Sequence, residues 1–267
     1  MIPVVIVGAA GRMGRALVQA LADSSTLRLH AAIDRPENPA QGQDLGLLAG
    51  LPANGVLLGS QLSAALRGAR VMLDFSDPVA TVANVTTCAS AGVAAFIGTT
   101  GQGADIDAQL QAASAHVPVL LSSNTSLGIT LLTELVRRVA GALPADFDIE
   151  ITEAHHRHKK DAPSGTALTL GRAAAEGRGQ KLHDVAALSR QGMSPRQAGE
   201  IGFSVIRGGD IVGDHSVMFA GTAERIILVH QATDRSIFAR GALQGAAWLA
   251  EQLPGRYTMR DVIAFKT

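Results

Sequence analysis

Gly8-Ala9-Ala10-Gly11-Arg12-Met13-Gly14 joins a continuous apolar run, Ile2–Val7, to a stretch with helical spacing, Arg12–Ala22. Strand, glycine-rich turn and helix in that order open a dinucleotide-binding unit. The glycines let the chain turn tightly, approach a pyrophosphate and pack the helix onto the sheet. The helix N-terminus then offers N–H groups and the positive end of its dipole to phosphate. The spacing is G-x-x-G-x-x-G, a weak signal by itself. Its context strengthens it: Asp34 ends the next predicted strand, Leu27–Asp34, where a carboxylate accepts hydrogen bonds from an adenosine ribose. Arg35 follows directly. A free 2′-hydroxyl suits Asp34 and a 2′-phosphate suits Arg35, so NADH and NADPH both stay open as cofactor.

Outward from this turn, apolar runs alternate with helical patterns. Val71–Phe75, Val93–Ile97 and Val117–Leu121 read as buried strands, and Asp77–Ala91 as a helix with Asp77 as cap and Pro78 in its first turn. The alternation predicts an α/β fold, a Rossmann-like doubly wound parallel sheet. Arg35–Gly55, rich in Gly, Pro and Asn, reads as a loop. Two turns, Gly98-Thr99-Thr100-Gly101 and Ser122-Ser123-Asn124-Thr125, follow predicted strands at the sheet end where such folds bind ligands. Their small side chains suit the edge of a nicotinamide ring, although as plain loops they would be unremarkable.

Near Ser126 the pattern changes. Leu127–Ala140 is predicted as a helix, and Phe147–Thr152, Ile201–Ile206, Ser216–Phe219 and Glu224–His230 as strands, the last two forming a hairpin. Ser236–Gln252 is helical, and Met259–Phe265 is expected to rejoin the first sheet. This divides the chain into a dinucleotide-binding domain, residues 1–126 and 236–267, and a second α+β domain, residues 127–235.

The chain carries 23 basic and 23 acidic residues, a balance that argues against nucleic acid or an anionic membrane as partner. No apolar run is long enough to span a bilayer. The apolar start lacks preceding basic residues and is interrupted by Gly11-Arg12, so it reads as a strand and not a signal peptide, with a cytoplasmic protein expected. Cys88 is the single cysteine and reads as a small core residue.

The densest chemistry is Glu153-Ala-His155-His156-Arg157-His158-Lys159-Lys160-Asp161-Ala-Pro-Ser164-Gly165-Thr166, which leads into the helical pattern Ala167, Leu168, Leu170. A helix opened by Ser164, Gly165 and Thr166 receives carboxylate or phosphate. With His156 and Lys159 nearby, the site fits a small molecule bearing more than one negative charge. A solvated basic loop is the ordinary fate of such a run, but here the histidines cluster and an anion-binding helix start follows. No metal is expected, because no cysteine joins the histidines and the adjacent cations repel a metal ion. Histidine exchanges protons near neutral pH, so an acid–base and anion-binding role is favoured.

EAHHRHKKDAPSGTAL (Glu153–Leu168) resembles the signature of the 4-hydroxy-tetrahydrodipicolinate reductase (dihydrodipicolinate reductase) family. VGAAGRMGR at the start, DFSDP (Asp74–Pro78), GTTG (Gly98–Gly101), RGGDIVGDH (Arg207–His215) and MRDV near the end extend the resemblance over essentially the whole chain. The resemblance implies NADH- or NADPH-dependent reduction of a cyclic dicarboxylate, 4-hydroxy-tetrahydrodipicolinate, to tetrahydrodipicolinate with loss of water, in the diaminopimelate route to lysine. It implies His155 as proton donor and acceptor, Lys159 as proton donor, and carboxylate binding by His156, Lys159, Ser164, Gly165 and Thr166. It sets Gly8, Ala9, Ala10, Gly11, Arg12, Met13, Asp34, Arg35, Gly98, Thr99, Thr100, Ser122, Ser123, Asn124 and Thr125 at cofactor positions. It also implies a homotetramer assembled through the second, substrate-binding domain, with the two domains closing over the ligands. Thr125 stands where some members carry an aromatic residue. A reductase of an amino acid or sugar would share the first domain but would not need the His155–Thr166 run, and a nucleotide sensor would lack an acid–base site.

Overall fold

The computed structural model describes residues 1–101, 103 and 106–263. The chain divides into two compact units, Met1–Leu127 with Ser236–Thr267, and Gly128–Arg235. The first unit runs β1 (Ile2–Val7), α1 (Arg12–Ala22), β2 (Leu27–Ile33), α2 (Leu45–Leu48), β3 (Leu58–Gly59), α3 (Leu62–Ala65), β4 (Val71–Asp74), α4 (Pro78–Ala91), β5 (Ala94–Ile97), α5 (Ile106–Ser114) and β6 (Pro118–Leu121). Then follow α6 (Leu127–Ala142), β7 (Asp148–His155), α7 (Gly165–Gly177), α8 (Leu182–Val185), β8 (Ala186–Ala187), β9 (Ile201–Arg207), β10 (Gly213–Gly221) and β11 (Glu224–Ala232). The chain finally returns to the first unit through α9 (Ser236–Leu249), β12 (Gly255–Tyr257) and α10 (Met259–Val262).

The first sheet has the order β12-β6-β5-β4-β1-β2-β3, and all its pairs are parallel. Continuous apolar runs suit it because both faces are covered. Alternation sends Val4 and Ile6 of β1 into one core cluster and Val5 and Val7 into the other. The chain order reverses between β1 and β4, where Val7 pairs with Asp74. This switch point is the crevice in which folds of this kind bind ligands, and the Gly8 turn leaves β1 there. On α4, Asp77 caps Val79 N–H at 2.9 Å and Pro78 sits in the first turn, as predicted.

Two expectations need correction. Arg35–Gly55 is not all loop: Asp44 caps the short helix α2 and also accepts N–H groups from Asn54 and Gly55, folding the segment on itself. The chain does rejoin the first sheet, but through β12 paired to β6 and not through the described part of the expected segment, residues 259–263. A capping box between Thr258 and Asp261 starts α10 at Met259 instead; residues 264 and 265 lie outside the described residues.

The second unit holds a mixed sheet of order β11-β10-β7-β9-β8, with β7 antiparallel to β10 and parallel to β9. Ile149 and Ile151 of β7 point into a core covered by Ala167, Leu170 and Ala174 of α7. The same alternation continues through Glu153 and His155, so β7 runs beyond the predicted Phe147–Thr152 and buries both polar residues. The opposite sheet face carries Ile206, Met218, Ile227 and Val229, of which Ile206, Ile227 and Val229 are exposed.

Candidate active site

In the first unit, Gly8 adopts φ +77°, and a Cβ there would lie 2.4 Å from Phe75 O. Only glycine allows the backbone to cross the end of β4 so closely. The N–H groups of Gly8 and Ala9 donate to Ile33 O, holding the turn against the end of β2. Asp34 completes the fastening, its Oδ2 accepting Ala10 N–H at 3.0 Å and its Oδ1 accepting Arg35 N–H at 2.9 Å. Each carboxylate oxygen has a second lone pair, so Asp34 keeps acceptor capacity for a ribose, and the Arg35 side chain is exposed beside it. These features fit a dinucleotide.

The turn after β5 is braced by a residue given no role from the sequence, and the turn after β6 by the predicted residues themselves. Asp74, fully buried, accepts from Ser76 Oγ at 2.5 Å, Asn84 Nδ2 at 3.1 Å and Thr99 Oγ1 at 3.2 Å. The Thr99 hydroxyl therefore braces the turn from inside, while Thr100 is exposed. Ser122 Oγ donates to Asn124 O at 2.6 Å, and Asn124 Oδ1 accepts Ser126 N–H at 2.9 Å. Thr125 is buried and its hydroxyl donates to Phe238 O of α9 at 2.7 Å. An inward Thr125 locks the β6 turn to α9. The one cue in sequence was an acid, Asp74, directly after an apolar run.

In the second unit, the carboxylate of Glu153, 1% exposed, is the centre of the site. Arg207 grips it with both Nη atoms at 2.8 Å, Ser164 N–H donates to Oε1 at 3.0 Å, and His155 Nδ1 lies 2.5 Å from Oε2. Ser164 caps α7 by accepting Ala167 N–H at 3.1 Å, and its Oγ lies 3.2 Å from His215 Nε2. A Cβ on Gly165 would meet open space, so this helix start is accessible. The His155 and His215 rings meet edge to face at 5.1 Å. His156 N–H donates to Ile211 O at 2.7 Å and Gly208 N–H to His155 O at 3.0 Å, tying the loop after β7 to the loop between β9 and β10. His156 Nε2 lies 3.4 Å from Arg235 Nη2, and Lys159 Nζ lies 2.8 Å from Asp161 Oδ1.

His155, His156, Lys159 and Ser164 thus share one corner of the second unit with Glu153, Arg207, His215 and Arg235, four residues given no role from the sequence. Burial opposes charge on Glu153, yet the hydrogen bonds from Arg207, His155 and Ser164 hold its carboxyl below the usual range, so it is an anion. Burial also lowers the His155 imidazole, against the pull of Glu153.

Burial, with the charge of His155 next, pushes His215 down to about 4. An unfolded chain titrates this histidine near 6.5, so between those values the unfolded state binds a proton that the folded state refuses. The stability contributed by neutral His215 is complete above the unfolded value and lost as pH falls toward the folded one. Roughly 2 kcal/mol is expected to go between about pH 7 and pH 5. Urea unfolding at those two values checks this: His215→Gln should show a smaller loss than wild type, and equal losses would assign the proton uptake elsewhere.

Family models cover nearly the whole chain. The model described as dihydrodipicolinate reductase, N-terminus, matches residues 2–125, and that for the C-terminus matches residues 128–263. The chain belongs to the dihydrodipicolinate reductase family. It is 50% identical over 260 residues to the 4-hydroxy-tetrahydrodipicolinate reductase of Rhodopseudomonas palustris (strain BisB5), covering 97% of this chain and 96% of that protein. It is 49% identical over 261 residues to that of Ruegeria pomeroyi, covering 97% of each. The fold matches the solved structure of dipicolinate-bound dihydrodipicolinate reductase from Paenisporosarcina sp. TG-14, with a TM-score of 0.78, 24% identity and 97% of each chain covered. The chain is an NAD(P)H-dependent oxidoreductase of lysine biosynthesis. Among the described residues, no group of three or more His, Cys, Asp or Glu side chains could hold a metal ion, and no helix is long and apolar enough to cross a membrane.

Proposed function

We propose that the chain reduces 4-hydroxy-tetrahydrodipicolinate, with loss of water, to tetrahydrodipicolinate, using NADH or NADPH in the diaminopimelate route. The observation that carries this reading is the bonding of Glu153 to both His155 and Ser164, which joins an acid–base imidazole to an anion-receiving helix start.

Residues 1–126 and 236–267 bind the dinucleotide. Gly8, Ala9, Ala10, Gly11, Arg12 and Met13 hold the pyrophosphate, and Asp34 and Arg35 meet the adenosine ribose. Gly98–Thr100 and Ser122–Thr125 border the nicotinamide, with Thr125 contributing backbone because its hydroxyl is engaged by Phe238 O. Bound there, the nicotinamide supplies a hydride from C4. Residues 127–235 bind the substrate and carry the oligomer contacts. The turn Ser164-Gly165-Thr166 receives one carboxylate, and His156 and Lys159 add anchoring positive charge and hydrogen bonds. Arg235 lies beside His156 and raises the positive potential of this corner. The reduction takes up one proton with each hydride as water leaves. His155 exchanges a proton with the substrate and Lys159 donates one.

A homotetramer is part of the same reading. Ile206, Ile227 and Val229, exposed on the open face of the second sheet, form an apolar surface suited to another copy of the chain. A cytoplasmic location belongs to the same reading.

The test is a coupled assay. The substrate is generated from pyruvate and aspartate semialdehyde by the preceding synthase, and absorbance loss is followed with NADH and with NADPH. Oxidation of both is expected, with kcat/KM values within about a thousandfold, since Asp34 and Arg35 serve one nucleotide each. No loss with either would overturn the reading, and a larger preference would overturn the dual use.

A further inference from the structure

We propose that Glu153 is a positioning residue for this reaction. Its single carboxylate holds the His155 ring and the Ser164 turn in fixed mutual geometry, so that the proton-transferring group and the carboxylate anchor act as one body. The inference rests on the functional reading of His155 and Ser164 given above.

An ionised carboxylate accepts and never donates, and it has about four lone-pair sites. Those of Glu153 are met by two Arg207 donors, Ser164 N–H and His155 Nδ1. Nδ1 must therefore carry a proton, which leaves the Nε2 lone pair of the neutral ring to exchange with substrate. The neighbouring strand keeps that nitrogen clear: a Cβ on Gly213 would lie 3.0 Å from His155 Nε2. The charged and titratable groups around the ring are Glu153 of β7, Lys159 of the loop after β7, Arg207 of β9 and His215 of β10. Glu153 is the one anion among them, so it is the group that steadies the imidazolium when Nε2 takes a proton. Arg207 is needed to keep Glu153 charged in a buried position, and its second bond, from Nη2 to Asp161 O at 2.6 Å, ties in the segment that carries Lys159's ion-pair partner.

Glu153→Gln keeps the shape but removes the charge. Its amide nitrogen cannot accept, so it must replace either the oxygen that meets His155 and Arg207 Nη1 or the one that meets Ser164 N–H and Arg207 Nη2; toward His155 it stabilises the wrong tautomer. A residue that only compensated Arg207 in the core would lower Tm and leave turnover of the folded enzyme alone.

The experiment measures kcat, KM and their pH dependence for wild type, Glu153→Gln, Glu153→Asp, His155→Gln and the double variant Glu153→Gln/His155→Gln, with dipicolinate affinity by calorimetry. For Glu153→Gln, kcat should fall by about thirtyfold or more while dipicolinate affinity falls by less than about tenfold. The acidic limb of kcat should move to lower pH. Glu153→Asp, which keeps the charge, should recover part of the loss. The double variant should be no slower than His155→Gln, because the two residues act as a unit. Turnover of Glu153→Gln within about threefold of wild type, or fully multiplicative losses in the double variant, would overturn the inference. Near-normal turnover of His155→Gln would instead sink the functional reading beneath it. Should Glu153→Gln not fold, nitrogen-15 spectra of histidine-labelled wild type decide: Nδ1–H on neutral His155 supports the role, and Nε2–H overturns it.

Discussion

Lys159→Ala is expected to lower kcat/KM for the cyclic dicarboxylate by about 10²–10⁴-fold, roughly 3–5 kcal/mol of transition-state stabilisation. Two effects add. In the proposed reading the half-buried ammonium both donates a proton and anchors the substrate's carboxylates, so alanine would remove acid and anchor together. Lys159 Nζ lies 2.8 Å from Asp161 Oδ1, and Asp161 is itself exposed. An ion pair open to solvent on its carboxylate side is weak, about 0–1 kcal/mol, so a dianionic substrate can draw the lysine away. The two contributions separate by measurement. Dipicolinate affinity reports the anchor alone and should fall about tenfold, while kcat reports the acid and should fall further. Lys159→Arg should restore affinity better than turnover, because guanidinium keeps its proton. Turnover of Lys159→Ala within a few-fold of wild type would remove Lys159 from the chemistry.

Gly8→Ala is expected to weaken both NADH and NADPH binding by about tenfold or more and to lower Tm by several degrees. A positive φ disfavours any L side chain by about 1–3 kcal/mol. The added methyl would also sit 2.4 Å from Phe75 O, so the turn must lift off the end of β4. Lifting it disturbs the bonds to Ile33 O and Asp34 and pulls the α1 N-terminus out of place. Calorimetric titration with each nucleotide and a thermal scan read the two effects. Unchanged affinity for both would show that the pyrophosphate does not use this turn.

Legibility in the sequence followed the range of the interactions. β1 and α1 were readable to the residue because their signals are local: an apolar run buried on both faces, then a glycine turn and an amphipathic helix. The capped start of α4 was readable for the same reason. The helix α2 escaped because four residues offer no periodicity, and its cap depends on Asn54 and Gly55 folding back onto Asp44. The final strand was misassigned because apolar character alone does not distinguish a strand from a short helix, whereas the Thr258–Asp261 capping box does.

By itself the sequence determined the parallel sheet, the turn that cradles a dinucleotide and the run of cations opening into the Ser164 helix start. Each depends on neighbours in the chain. What only the tertiary structure decided is what surrounds His155, the proposed acid–base residue. In the sequence Glu153 only heads the charged run Glu153–Thr166, yet it continues the buried face of β7 in phase with Ile149 and Ile151. A carboxylate is tolerable there only because strand register brings Arg207 and His215 alongside, pairing His155 with Arg207 and Glu153 with His215. Those partners are 54 and 62 positions from Glu153 in the chain (207 − 153 and 215 − 153). The energy of a buried charge is set by what surrounds it in space, and no local pattern of residues records that.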